Sequence, residues 1–206
     1  MQRENFFFLI LIFLVLVFPL TAQEGEDPGE TPIDSDWSDF MPALYARGDQ
    51  TFTISLGPII PAIFRGESGL IENNLKLGGT GSLAYNFFLT PSFFIGAELG
   101  IMFSSTLGKN HLFIIPFGFK IGYQWVANRF EFPLTLMVGG APQRYQNYSY
   151  FGLIIKPGAS AFFRYNSDWS FGLNTTWWWI PEWTSEKGKD VFGNFIDVTL
   201  AARYHF

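Results

Sequence analysis

The sequence contains no cysteine, which excludes disulfide bonds, thiolate metal sites and a lipid anchor carried on an N-terminal cysteine. Charged residues are also scarce, at 15% of the chain, whereas soluble domains carry about 25%. After residue 22 there is no apolar run of the roughly 20 residues that a membrane-spanning helix needs. Aromatic residues nevertheless make up 19% of the chain. A transmembrane β-barrel reconciles these features, because its strands place apolar side chains at every second position.

The N-terminal region divides into two segments. Residues 1–22 have the pattern of a signal peptide, with Arg3 in a short polar start, an apolar run over 6–18 and a small residue, Ala22, at the end. The alternative is an uncleaved anchor. Residues 23–47 follow as an acidic periplasmic leader, whose composition predicts disorder. The barrel is expected over residues 48–206, where no basic patch suggests a nucleic-acid partner.

Alternation of apolar and small or polar residues is the main structural signal in residues 48–206. Eight segments show it, at about 50–63, 75–89, 93–103, 112–125, 130–139, 150–165, 170–180 and 192–206. A secreted lipocalin also has eight strands, but here the less apolar face has too few charges for a water-facing exterior. Its glycine, serine and threonine residues suit the narrow interior of eight strands. We therefore predict an all-β fold, an eight-stranded antiparallel up-and-down transmembrane β-barrel.

The connections between the predicted strands alternate in length. Short turns occur at 90–92, 126–129 and 166–168, whereas longer segments occur at about 64–74, 104–111, 140–149 and 181–191. Barrels of the bacterial outer membrane have short periplasmic turns and long external loops. We therefore expect the chain in the outer membrane, in contact with outer-membrane lipid and with both termini on the periplasmic side.

The last eight residues, "TLAARYHF", resemble the C-terminal assembly signal of bacterial outer-membrane barrels. Thr199, Tyr204 and Phe206 match that signal, and Ala201 stands where glycine is usual. The resemblance implies recognition by the barrel-assembly machinery, with periplasmic chaperones as earlier partners.

Three longer motifs resemble small outer-membrane barrels of the OmpW type. They are "TPSFFIGAELG", "NRFEFPLTLMVGG" and "YNSDWSFGLNTTWWW", and they occur in the order found in that family. Barrels of the OmpX and OmpA types share part of the pattern, and small barrels of spirochaetes are similar. The resemblance implies a narrow channel for small hydrophobic solutes, which is our first hypothesis for the function.

Seven charged residues fall on the lumen-facing side of the predicted strands. Counted from the periplasmic turns, one group is low, a second pair is higher and the rest are higher still. They are, in that order, Glu131, Arg164 and Arg203; Glu98 and Lys120; and Lys156 and Asp197. Charges in a low-dielectric lumen require partners. They form either a polar constriction in a channel or a closed, salt-bridged plug in a structural or surface-interaction, adhesin-like barrel.

Two prolines, Pro58 and Pro61, fall within the first predicted strand. Proline lacks the N–H that a β-ladder requires and is rare inside sheets. The pair predicts either a lateral opening, through which an apolar solute leaves into the lipid, or a simple bend where the strand ends.

An enzyme that modifies lipids at the outer rim is the third hypothesis. Such a site requires a nucleophile and a base within hydrogen-bond reach, and the candidates are Ser104 or Ser105 with His111. The second histidine, His205, belongs to the opposite rim, so the two cannot share a metal ion. We therefore expect no enzymatic activity, no metal and no cofactor.

Deletion of Phe206, or its replacement by Asp, should lower the amount of folded protein in the outer membrane. Both changes remove part of the assembly signal and an aromatic contact at the membrane interface. The measurement is the heat-modifiable gel mobility of the protein in outer-membrane fractions. Normal amounts and normal mobility for the deletion variant would contradict the assembly-signal interpretation.

Overall fold

The computed structural model describes residues 45–66, 69–71, 74–108, 110–145, 148–182 and 191–206. The predicted signal peptide and most of the predicted acidic leader lie outside these residues. The regular elements within them are all β-strands. No helix among them has the length and apolar character needed to cross a membrane.

Ten strand segments follow one another along the described chain. They are β1 (Gln50–Gly66), β2 (Gly69–Ile71), β3 (Gly78–Phe88), β4 (Phe93–Ser105), β5 (His111–Ile114), β6 (Phe117–Ala127), β7 (Phe130–Tyr145), β8 (Tyr148–Arg164), β9 (Trp169–Glu182) and β10 (Val191–His205). Segments β5 and β6 are consecutive parts of one barrel strand, since both pair with β4 and with β7. The short β2 pairs with the end of β1.

The sheet closes on itself as an eight-stranded antiparallel barrel. Each barrel strand pairs with its neighbours in sequence, and β1 pairs with β10 from Thr51↔His205 to Gly66↔Val191. Closure removes the free edges of the sheet, which a membrane-spanning β structure requires. The predicted fold class is therefore confirmed.

The strands are strongly staggered around the barrel. Paired residues can be followed from strand to strand once around the barrel. A path that starts at Phe52 on β1 returns to β1 beside Ile63, about ten residues further along that strand. The path passes through Tyr85, Ala97, Phe119, Val138, Ile155, Trp179 and Asn194. Residues at equal counts from their turns therefore do not lie at equal heights in the lumen.

The two faces of the wall have the predicted polarity. Side chains that point outward are apolar and exposed, as in Phe119 at 82% and Leu56 and Leu200 at 71% each. Side chains that point inward are buried, and many are polar or charged, as in Glu131 at 1%. An exposed apolar band around a closed barrel is the surface that lipid covers.

The end of the barrel that carries the longer connections, called here the loop end, differs from the sequence expectation. Strands β7 and β8 continue through most of the predicted loop 140–149, with Tyr145 paired to Tyr148. Strand β1 likewise reaches Gly66 instead of ending near residue 63. Glycines, prolines and polar residues interrupt the apolar alternation in these segments. The hydrogen-bond ladder of the backbone does not depend on that alternation, so the strands continue.

Close packing of two strands requires glycine at one pair of positions. Gly118 and Gly139 are opposite each other on β6 and β7, and a Cβ atom on either would overlap the backbone of the neighbouring strand. The outward-facing Gly79 on β3 is a natural contrast, because an added Cβ would meet no atom within 4 Å.

Replacement of Gly139 by Val should lower the free energy of unfolding by about 1–3 kcal/mol, the usual cost of overpacking. The same replacement at Gly79 should change it by less than about 0.5 kcal/mol. Urea unfolding of the refolded protein in lipid vesicles measures both. Equal stabilities of the two variants would show that the strands do not pack this closely.

Candidate functional site

The lower charged layer lies near the short turns, at the end called here the turn end, and centres on Glu131. Arg203 Nη1 donates to Glu131 Oε2 at 3.0 Å and to Gln124 Oε1 at 3.0 Å. Arg164 Nε lies 3.3 Å from Glu131 Oε1. All these side chains are buried in the lumen. One carboxylate therefore holds two guanidinium groups, which offsets the cost of burying the three charges.

Tyr45 closes the turn end of the lumen. It precedes β1, is 3% exposed, and its hydroxyl donates to Glu131 Oε2 at 2.8 Å. Its ring stacks on Phe88 with 4.1 Å between centroids, and Phe94 packs beside them. Burial raises the pKa of the Tyr45 phenol to about 12, so it remains a donor at neutral pH. Tyr45 was not predicted, because its only signal in the sequence is an aromatic residue shortly before the first strand.

His205 belongs to the same layer. Its Nε2 lies 2.8 Å from Ser170 Oγ and its Nδ1 lies 3.2 Å from the Tyr45 hydroxyl. The ring is thus part of the hydrogen-bonded closure of the turn end.

The middle charged layer centres on Glu98. This carboxylate forms ion pairs with Lys120 and with Lys156, the second at 2.5 Å. Lys120 and Lys156 are both paired with Met137 of the intervening strand, which places the two lysines in one row. The placement of Lys156 above Glu98 and Lys120 was therefore wrong, because counting along single strands ignores the stagger of the barrel.

Asp197 is held by neutral donors. Its carboxylate accepts hydrogen bonds from the Thr176 hydroxyl and from Trp178 Nε1, both at 2.6 Å. The Lys156 ammonium lies 4.3 Å from the centre of the Trp178 ring. Trp178 thus connects Asp197 with the middle layer, although no described lysine or arginine forms an ion pair with this aspartate.

The remainder of the lumen toward the loop end is filled by an apolar cluster. Its buried members come from most of the barrel strands and include Ile59, Met102, Ile114, Met137, Ile154, Trp178 and Phe195. This cluster was not predicted, since its residues stand on the face assigned to polar and small side chains. Bulky residues at lumen positions were the available signal.

These layers leave little open space along the axis. A cavity of about 40 Å³ remains between the two charged layers, lined by Thr53, Asn86 and Arg203 among others. That volume holds a few water molecules at most. The described lumen is therefore closed by Tyr45, by the ion pairs and by the apolar cluster.

An open vestibule lies above the apolar cluster at the loop end. It has a volume of about 480 Å³, and Phe64, Ile180 and Phe195 are among the side chains that line it. Polar groups, including Gln143 and Glu182, stand around it. The vestibule is a concave, largely apolar site of the kind that binds small molecules.

The two prolines of β1 do not end the strand. The β1–β10 ladder has no partners at Gly57 and Pro58, resumes at Ile59↔Asp197, and shifts register between Pro61 and Phe64. Ladders are interrupted in the same way at Pro133 and Pro157, so a missing proline N–H alone opens no gap.

The register shift is what distinguishes the seam between β1 and β10. Asn194 Nδ2 spans it by donating to the Ile63 carbonyl at 2.8 Å. Phe64, which follows the shift, lines the vestibule together with its partner Gly193. The seam therefore borders the vestibule directly.

The predicted assembly-signal residues lie in and beside β10. Thr199 and Ala201 are buried on the lumen side. The Tyr204 ring contacts Trp169 and Phe206 edge-on, with centroids 5.0 and 4.9 Å apart. Tyr204 and Phe206 thus belong to an aromatic group at the turn end.

The serine and histidine candidates for catalysis lie at the loop end. Ser105 Oγ is 3.2 Å from His111 Nδ1, whereas Ser104 Oγ donates to the Lys76 carbonyl. No carboxylate of the described residues is bonded to His111, and these residues contain no cluster of three metal-ligating groups.

A protein-family model matches residues 26–204, which is most of the chain. The chain belongs to this family. An uncharacterized protein of Treponema pallidum (strain Nichols) is 30% identical over 135 residues, covering 65% of this chain and 62% of that protein. An uncharacterized Borreliella burgdorferi protein is 26% identical over 157 residues, covering 65% of this chain and 74% of the relative. A second Treponema pallidum protein is covered over 48% of its length, so the chain spans about half to three fifths of these two relatives.

Solved structures share the barrel fold. Neisserial surface protein A aligns with a TM-score of 0.53 at 8% identity, over 77% of this chain and 97% of that chain. The outer membrane protein OprG of Pseudomonas aeruginosa aligns with a TM-score of 0.49 at 9% identity, over 79% and 97% of the two chains. The resemblance to outer-membrane barrels is thus confirmed at the level of the fold, and the OmpW type stays a prediction.

Replacement of Glu98 by Gln should lower the free energy of unfolding by about 3–5 kcal/mol, because it leaves the buried Lys156 and the partly buried Lys120 without a counter-charge. Replacement of Lys120 by Met should cost less, because Glu98 keeps Lys156. The double variant should cost less than the sum of the single variants. Unfolding titrations in lipid vesicles measure these differences, and strict additivity would contradict direct pairing.

Proposed function

We propose that the chain is a bacterial outer-membrane barrel that takes up small hydrophobic solutes sideways instead of along its axis. In this orientation the turn end and both termini are periplasmic and the loop end faces outward. The shared fold and the alternation of short turns with longer connections support this placement.

One observation carries the proposal, namely the contact between the vestibule and the β1–β10 seam. A solute in the vestibule meets the apolar cluster and the charged layers below it, which close the axial route. Beside it are Phe64 and Gly193, immediately past the register shift. Separation of the strands there requires loss of few ladder hydrogen bonds, since the ladder is already irregular. An apolar solute then passes into the membrane without crossing a charged layer.

A structural or surface-interaction, adhesin-like role is the second candidate. The ion pairs at Glu98 and Glu131 favour this role, because they close the lumen. A barrel that transports no solute does not need an open lumen. We propose no enzymatic role, since the Ser105–His111 contact has no carboxylate of the described residues to orient it. The barrel-assembly machinery and periplasmic chaperones are proposed partners in assembly, through Thr199, Ala201, Tyr204 and Phe206.

A disulfide across the seam tests the sideways route. The chain has no native cysteine, so Phe64→Cys with Gly193→Cys introduces a single pair at directly opposed positions. Oxidation should slow uptake of a small apolar fluorescent tracer into proteoliposomes, and a reductant should restore it in the same sample.

The matched control is a second cysteine pair, Ile121→Cys with Leu136→Cys, which is directly opposed on β6 and β7 away from the vestibule. Oxidation of this pair should leave uptake unchanged. Equal uptake by the oxidised and reduced seam variant, with the disulfide verified by mass spectrometry, would overturn the sideways route and favour the structural role.

A further inference from the structure

Four neighbouring segments present exposed or half-exposed polar side chains near the loop end. The Lys76 amide donates to the Ser105 carbonyl at 2.8 Å, and Ser105 is paired with His111 on β5. Leu75 packs against the apolar cluster, and Lys76, the next residue, is exposed. Arg144 is exposed on β7, paired with Phe113 two residues beyond His111. We call Lys76, Ser105, His111 and Arg144 the rim cluster.

The described residues give the rim cluster two positive charges and no acidic partner. Neither Lys76 nor Arg144 forms an ion pair with another described residue. Glu182, the acid that the described strands present at this end, faces the vestibule instead. The guanidinium of Arg144 offers a planar pair of donors that matches phosphate oxygens, and the Lys76 ammonium adds a second charge.

A groove in the apolar wall lies directly below the rim cluster. Its volume is about 350 Å³ and its lining is almost entirely apolar, with Ile54, Leu56, Leu83, Leu99, Ile101 and Ile115 among the residues. The groove exists because Gly81 has no side chain: a Cβ atom there would lie 3.2 Å from Leu56 Cδ1 and 3.8 Å from Ile101 Cγ2.

The groove and the rim cluster are connected along the same outward faces. Ile101 and Ser105 are four residues apart on β4, about 13 Å along an extended strand. Ile115 follows His111 by the same interval on the neighbouring strand. That spacing matches a polar headgroup with an acyl chain that descends from it into the hydrocarbon region.

We propose that the rim cluster and the groove form a binding site for one anionic phospholipid. The headgroup phosphate is held by Arg144 and Lys76, with the Ser105 hydroxyl and the His111 ring as further hydrogen-bonding groups. One acyl chain occupies the groove over Gly81. The proposal rests on the membrane placement of the barrel and is independent of any transported solute.

Two other occupants fit the surface less well. A small apolar solute would have no use for the two cations above the groove. A second copy of the chain would need acidic residues to face them, whereas the described outward-facing residues near the loop end include none. Charge complementarity therefore selects an anionic lipid.

The test uses the full chain refolded into vesicles of phosphatidylcholine with one tenth phosphatidylglycerol. The lipid that remains bound after detergent extraction is identified and counted by native mass spectrometry. The unaltered protein should retain one phosphatidylglycerol in preference to phosphatidylcholine. The double variant Lys76→Gln with Arg144→Gln should reduce that retention about twentyfold, from the usual strength of interfacial cation–lipid contacts.

Two matched controls separate this site from general effects of charge and fold. Arg47→Gln with Arg129→Gln removes the same charge at the turn end and should keep the bound lipid. Gly81→Leu fills the groove and should lose the lipid, whereas Ala161→Leu, at an exposed position on β8 away from the groove and the rim cluster, should keep it. Heat-modifiable gel mobility verifies that each variant is folded. Equal retention by the two charge variants, or by the two leucine variants, would overturn the proposal.

Discussion

The pairing of charges inside a lumen that is too narrow for bulk water is the constraint on which this structure depends. Eight strands leave room for side chains only, so each buried charge must find its partner among the other lumen side chains. Glu98 and Glu131 each hold two cations contributed by different strands. The Lys156–Glu98 and Arg203–Glu131 contacts join strands that are not neighbours in the barrel, whereas Lys120 and Arg164 pair with a carboxylate on an adjacent strand. The consequence is that the described lumen offers no open axial route.

The barrel wall tolerates an interrupted hydrogen-bond ladder because the ladder on the other side of the same strand remains intact. Pro58, Pro133 and Pro157 each interrupt one ladder while the ladder on the other side of the same strand continues. A register shift differs from these interruptions, because it changes which residues face each other. The single shift recorded in the described ladders, between Pro61 and Phe64, borders the vestibule. That coincidence favours a sideways route over one through the lumen.

The strands and the identity of the lumen charges were predictable from the sequence, because alternation with a period of two is a local property of each strand. The arrangement of those charges was not. The stagger of the strands brings Lys156 to the height of Glu98. That stagger arises only when the barrel closes, so no single segment of the sequence reveals it. Tyr45 was missed for a related reason, since it enters the lumen from outside the strand pattern. The apolar cluster was missed because residues such as Trp178 and Met137 stand on the face assigned to polar and small side chains.

Single-channel recording tests the closed lumen most directly. Planar bilayers are formed from proteoliposomes in which the number of inserted, folded barrels has been determined. The closed lumen predicts no conductance steps in symmetric salt, because ions would have to displace Tyr45, the paired charges and the apolar cluster in turn. Steady ohmic openings of the unaltered protein, whose number increases in proportion to the number of inserted barrels, would contradict the closed lumen.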